Sequence, residues 1–209
     1  MFVVLFEVHP KADRWDDYMQ HAGVLRPELL QIDGFLDNRR FASRGRPGWL
    51  LSLSLWRDEK SVVRWRTHAG HHAIQVAGRQ DIFHDYHLRV GEIVRDDGVL
   101  PPQQRLDATE TGLAKAVSVL DMPDDDAPVT AAGLIAWDMY DGITVPDTRL
   151  ALLSWRDEAA MAAWNCEAGC EGSGAARRLD ARIVRDYGLH ARAEAPQYHA
   201  PVRSRSAPV

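Results

Sequence analysis

Apolar residues fill both alternating faces of Phe2–His9, broken only by Glu7 and His9, which predicts a strand covered on both sides and ended by Pro10. From Asp13 to Leu30 the period changes. Trp15, Tyr18, Met19, Ala22, Leu25 and Leu29 recur at helical spacing, with Asp13 as the expected N-cap and Pro27 tolerated or marking a kink. Strands are predicted over Phe35–Ser43 and Trp49–Trp56, with Gly45–Gly48 as the turn between them. In the second of these, Trp49, Leu51, Leu53 and Leu55 share one face and Ser52 and Ser54 lie on the other. Asp58 is placed to cap a helix whose inward side carries Val62 and Trp65. Gly70 is expected to interrupt that helix before a further helical stretch from His71 to about Phe83, and a strand over Asp85–Val94 closes the unit.

That order, β-α-β-β-α-β, is ferredoxin-like, and parts of it return. Trp56-Arg57-Asp58-Glu59 reappears as Trp155-Arg156-Asp157-Glu158, 99 positions on (155 minus 56), and Trp65 and Arg79 reappear as Trp164 and Arg178 at the same offset. Asp85-Tyr86-His87-Leu88 is answered by Asp186-Tyr187-Gly188-Leu189. A period near the length of a small domain predicts a duplicated domain. The expected organisation is a first lobe over 1–96, a linker over 97–112, a shortened second lobe over 113–195 and a flexible tail over 196–209. In the second lobe, strands are expected over Leu113–Asp121, Arg149–Trp155 and Ile183–Arg192, with a helix over Asp157–Asn165. Its first helix is expected to be shortened or replaced by an irregular path through Pro123–Pro128.

Composition narrows the classes. With 45% apolar and 26% charged residues the chain has material for an ordinary globular core. A net charge of −5 argues against a general nucleic-acid binder, and no apolar run approaches membrane-span length. The first residues lack a basic region and a cleavage site, so they read as a strand and not a signal peptide, which predicts a cytoplasmic protein. Cys166 and Cys170 are expected to be free thiols, since two thiols alone make a poor zinc site. Phosphate-binding glycine loops and serine nucleophile elbows are missing from the sequence, which leaves nucleotide-dependent and hydrolytic chemistry without support.

A strand ending in Trp56-Arg57-Asp58-Glu59, Trp65 one helix face later, the histidine-rich run His68–His72 and the strand Asp85–Val90 together resemble the antibiotic biosynthesis monooxygenase family. The resemblance implies a dimeric α+β barrel, here supplied as an intramolecular pseudo-dimer by one chain, with pairing into a further homodimer left open. It also implies oxidation of a small aromatic or apolar molecule in a cavity between the first lobe's sheet and helices. Under that reading Trp65 walls the site, His68 or His72 acts as base, and Arg79 or Tyr86 orients an oxyanion. A heme protein with His71 or His72 as axial ligand is the alternative, although Gln75 stands where the family's heme-degrading branch has its histidine. A non-catalytic small-molecule binding module is the third reading. No non-heme metal is expected: His68 and His72 have the i, i+4 spacing, but a carboxylate at helical spacing is missing. The histidine cluster is not repeated, its counterparts being Glu167, Cys170 and Glu171, which points to a specialised site in the first lobe alone.

Overall fold

A computed structural model describes residues 1–104, 107–122, 130–167 and 177–196, with backbone only for 165–167. Among the described residues there are eight strands: β1 (Phe2–Pro10), β2 (Phe35–Ser43), β3 (Leu50–Trp56), β4 (Phe83–Asp96), β5 (Ala116–Asp121), β6 (Leu134–Gly142), β7 (Arg149–Trp155) and β8 (Arg177–Gly188). They close into one antiparallel barrel in the order β1-β3-β2-β6-β7-β5-β8-β4, so each half contributes a ferredoxin-like sheet and the architecture is α+β. The two seams between halves are unequal. Strands β4 and β8 pair from His87–Gly188 to Asp96–Leu179, whereas β2 and β6 pair only at Phe41–Gly142, Ala42–Asp141 and Ser43–Tyr140.

Alternation explains why these segments are apolar on both faces. One face of each strand fills the barrel: Val3 and Leu5 of β1, Leu51, Leu53 and Leu55 of β3, and Val117, Leu152 and Ile183 of the second half form one buried cluster. The other face meets helices. Around β1–β4 these are α1 (Trp15–Leu30), α2 (Glu59–Thr67) and α3 (Ala69–Ala77), and over β5–β7 it is α4 (Glu158–Glu167).

The repeated Trp-Arg-Asp-Glu motif has a structural meaning in both halves. Each Trp is fully buried, with its indole N–H donating to a serine: Trp56 to Ser54 (2.9 Å) and Trp155 to Ser118 (3.0 Å). Each Arg backbone N–H donates to a glycine carbonyl, Gly34 and Gly133, at 2.8 Å. Each Asp caps the next helix by accepting from the third residue on, Ser61 N–H at 2.8 Å and Ala160 N–H at 2.7 Å. Gly34 has φ +86°, and a Cβ there would stand 2.0 Å from Ser61 Oγ. Gly34→Ala combines an unfavourable backbone conformation with that clash, so a loss of about 1–3 kcal/mol is expected in chemical denaturation.

Several sequence expectations need correction. Asp13 does not cap α1: it lies in a short 3-10 turn, Ala12–Arg14, and the N-cap position is Arg14, without a side-chain cap bond. The break between α2 and α3 falls at His68, whose ψ of 130° is extended, while Gly70 is inside α3. His68 thus serves as N-cap of α3, its carbonyl accepting from His72 N–H at 2.8 Å. The helical path ends in a π-helical turn, Gly78–Ile82, so Phe83 already belongs to β4. The final strand ends at Gly188, short of Arg192. Strand β6 was not anticipated at all. Residues 123–128, Cys170, the side chain of Cys166 and the tail beyond Pro196 lie outside the described residues.

Candidate functional site

A cavity of about 710 Å³ opens between the outer face of β1–β4 and helices α1–α3. Its floor comes from outward positions of the strands, Val4 and Phe6 of β1, Asn38 and Arg40 of β2, Ser52 and Ser54 of β3, and Tyr86 and Leu88 of β4. Aromatic rings line one side: Phe6 lies 5.7 Å from Phe83 and 5.5 Å from Tyr86. The far half contributes as well, because β8 runs beside β4 and brings Arg185 and Tyr187 to the wall, and the segment after it brings Arg192 and Pro196.

Of the residues singled out from sequence, Trp65, His71, His72, Arg79 and Tyr86 line this cavity, whereas His68 does not. Because it begins a new helix, His68 turns toward α1, where its Nδ1 lies 3.3 Å from Glu28. His68 and His72 therefore share no helix face. Trp65 and His71 form a parallel stack with ring centres 4.2 Å apart. His71 Nδ1 is 2.9 Å from the Trp65 carbonyl, a contact that requires the proton on Nδ1 and leaves Nε2 with its lone pair. Burial pushes the His71 imidazolium down to about 4, outweighing the stabilising carbonyl, so the ring is neutral at ordinary pH. Gln75 Nε2 stands 3.4 and 3.5 Å from the two ring nitrogens, which puts it over the ring face and along neither lone pair.

Strand periodicity sends His87 into the barrel, away from Tyr86. There it meets Glu7 (3.7 Å) and Asp186 (2.5 Å). Glu7 is buried and accepts from Arg89 (2.7 Å), Arg46 (2.5 Å) and Tyr140 (3.0 Å). Burial alone would raise its carboxyl, but the charges of Arg89 and Arg46 more than offset this and hold it at about 2. His9 and His84 pack together at 5.2 Å, beside Trp49 and apart from the cavity lining.

Among the described residues of the second half, the position equivalent to Trp65 is part of a packed cluster. Trp164, counterpart of Trp65, packs on Trp155 at 5.3 Å, in a cluster with Met122, Met139 and Met161. Arg178, which the sequence offset matched to Arg79 but which belongs to β8 while Arg79 lies in the turn Gly78–Ile82, sits over the Trp164 ring at 4.4 Å. Among the described residues no group of three or more His, Cys, Asp or Glu is placed to hold a metal ion, and no helix is long and apolar enough to cross a membrane.

Sequence reasoning missed Arg40, Arg66, Tyr187 and Arg192. Arginine on a helix or strand surface reads as solvated. The available signal for Arg40 was its alternation with Asn38 on a strand, on the face that Ser52 and Ser54 continue.

A closed α+β barrel with a lateral cavity under the helices of one half defines a small-molecule protein of the dimeric-barrel class. Residues 1–77 match the model of the antibiotic biosynthesis monooxygenase family. The chain is similar to the jasmonate monooxygenase ABM of Pyricularia oryzae, with 39% identity over 222 aligned positions, 96% of this chain and 99% of that protein. The chain belongs to the antibiotic biosynthesis monooxygenase family. Aldoxime dehydratase, crystallised with butyraldoxime, shares the fold at 10% identity and a TM-score of 0.53, over 87% of this chain and 79% of that one. A conserved protein from Methanosarcina mazei aligns at 18% identity and a TM-score of 0.40, over 43% of this chain and 88% of its own.

Proposed function

We propose that the protein is a monooxygenase that oxidises a small, largely apolar molecule in the cavity of the first half. The observation that carries this reading is the cavity under α1–α3, which is open and presents Trp65, a neutral His71 and Tyr86 on one lining. Aromatic and aliphatic walls take up the substrate body, and His71 Nε2 is the acceptor for a proton leaving the substrate. Tyr86 stabilises the oxyanion that results. The same reading treats the chain as a cytoplasmic pseudo-dimer whose second half is scaffold.

Jasmonate, the compound in the relative's name, is the first substrate to test, with an electron-rich phenol as the aromatic comparison. Insertion of one oxygen atom with the other leaving as water takes two electrons, from the substrate itself or from a reduced nicotinamide added to the assay. Incubation under labelled oxygen should give a product carrying one labelled atom. Ligand-dependent thermal stabilisation with neither product nor oxygen uptake, in the presence and absence of the donor, would instead establish a binding module.

A heme held by His71 is favoured by one observation: its Nδ1–H is fixed on a backbone carbonyl, the arrangement that presents Nε2 to a metal. The residues fit that role, and a heme there would supply iron for oxygen activation. Titration with hemin should then produce a Soret band that His71→Ala removes; a spectrum unchanged by His71→Ala and His72→Ala would rule the heme out.

A further inference from the structure

The charge of the cavity runs against that of the chain. The whole sequence carries −5, yet six arginines line the cavity against one carboxylate, Glu59. Three of these cations gather on two tyrosines. Arg192 donates to the Tyr86 hydroxyl at 2.6 Å and lies 5.9 Å from the centre of the Tyr187 ring, and Arg66 and Arg79 line the same wall. Among the described residues, Arg66, Arg79 and Arg192 have no carboxylate within ion-pair distance. Arg66 is further out of balance, since its Nε and Nη1 are buried with no acceptor. Guanidinium N–H groups removed from water without an acceptor are costly, and an anion with two oxygens is the partner their fork geometry matches.

We propose that the cavity takes its substrate as a carboxylate, gripped by Arg66, Arg79 and Arg192 at the end bounded by Tyr86 and Tyr187, with the apolar body on the aromatic wall. Tyr187 adds a donor: burial, with the neighbouring Tyr86, pushes its phenol up to about 12 despite the three arginines, so it keeps its proton. An anchor at one end also fixes which carbon reaches His71, so the three arginines set regiochemistry as well as affinity.

This inference rests on the cavity being the substrate site but not on the oxidation. Dissociation constants for matched pairs, jasmonate with methyl jasmonate and octanoate with methyl octanoate, can be read from quenching of tryptophan fluorescence. In the native protein the acid should bind about 10- to 100-fold more tightly than its ester, the worth of charge-assisted hydrogen bonds. Arg66→Gln and, separately, Arg79→Gln should bring the ratio toward one, and Arg66→Lys should restore part of it. Equal binding of acid and ester, no binding of either member of both pairs, or a ratio unchanged in both glutamine variants would overturn the proposal. A preserved ratio without oxygen uptake would leave the carboxylate site standing and remove the monooxygenase reading.

Discussion

Replacing Glu7 by Gln is expected to destabilise the protein by about 3–5 kcal/mol, and to lower its melting midpoint by about 6–20 °C. The size follows from what is left behind. Arg89 has a side chain only 4% exposed and would keep its charge against neutral acceptors alone, the new amide oxygen and Ser154 Oγ at 2.8 Å. Arg46 would lose one carboxylate but retain Asp138 at 3.1 Å, so the larger share of the loss belongs to Arg89. The pH dependence has a definite sign. Glu7 titrates at about 2 in the folded protein against 4.5 unfolded, so its stabilisation is complete above pH 4.5 and is lost as the pH falls through about 2. The gap in stability between the native protein and Glu7→Gln should therefore narrow between pH 4.5 and 2. A gap of under 1 kcal/mol at pH 7 would show that the buried cluster is not held by this carboxylate.

His71→Ala is expected to reduce turnover by about 100- to 10,000-fold, the usual worth of a positioned proton acceptor. The imidazole is already ordered by the Trp65 stack and the Trp65 carbonyl, so little reorganisation precedes proton transfer. Its basicity is low while the cavity holds no charge, because burial disfavours the imidazolium; an anion formed beside it reverses that penalty. Two readouts separate this role from packing. The acid limb of kcat/KM, which reports the empty cavity, should lie near pH 4 in the native protein, well below the 6.5 of a solvated imidazole. His71→Ala should also change kcat far more than KM, with a stability loss of the size of one stacked pair, about 0.5–1.5 kcal/mol. A variant with unchanged kcat would move the proton acceptor to His72.

The elements with clean periods were legible from sequence. Strands β1 and β3 are apolar on alternating positions because the barrel interior demands it, and Asp58 caps α2 where the spacing placed it. Strand β6 was hidden for a physical reason: Ile135 and Trp137 face outward and are 41% and 45% exposed, while Asp138 points toward Ser43 and Arg46. Its pattern is the inverse of an ordinary half-buried strand. The helix break was misread by two residues, since glycine is the usual breaker but an extended His68 does the work here. At the site, aromatic and histidine types drew attention to Trp65, His71 and Tyr86, whereas Arg66 and Arg192 depend on tertiary placement that no spacing reveals.

The cavity borrows its last wall from β8 and the segment behind it, and this has a consequence for the order of events during synthesis. Helices α1–α3 and the sheet beneath them emerge from the ribosome early, but Tyr187 and Arg192 lie far later in the chain. Only when β8 docks along β4 do Tyr187 and Arg192 reach the cavity, so this wall of the compartment is the last to be synthesised.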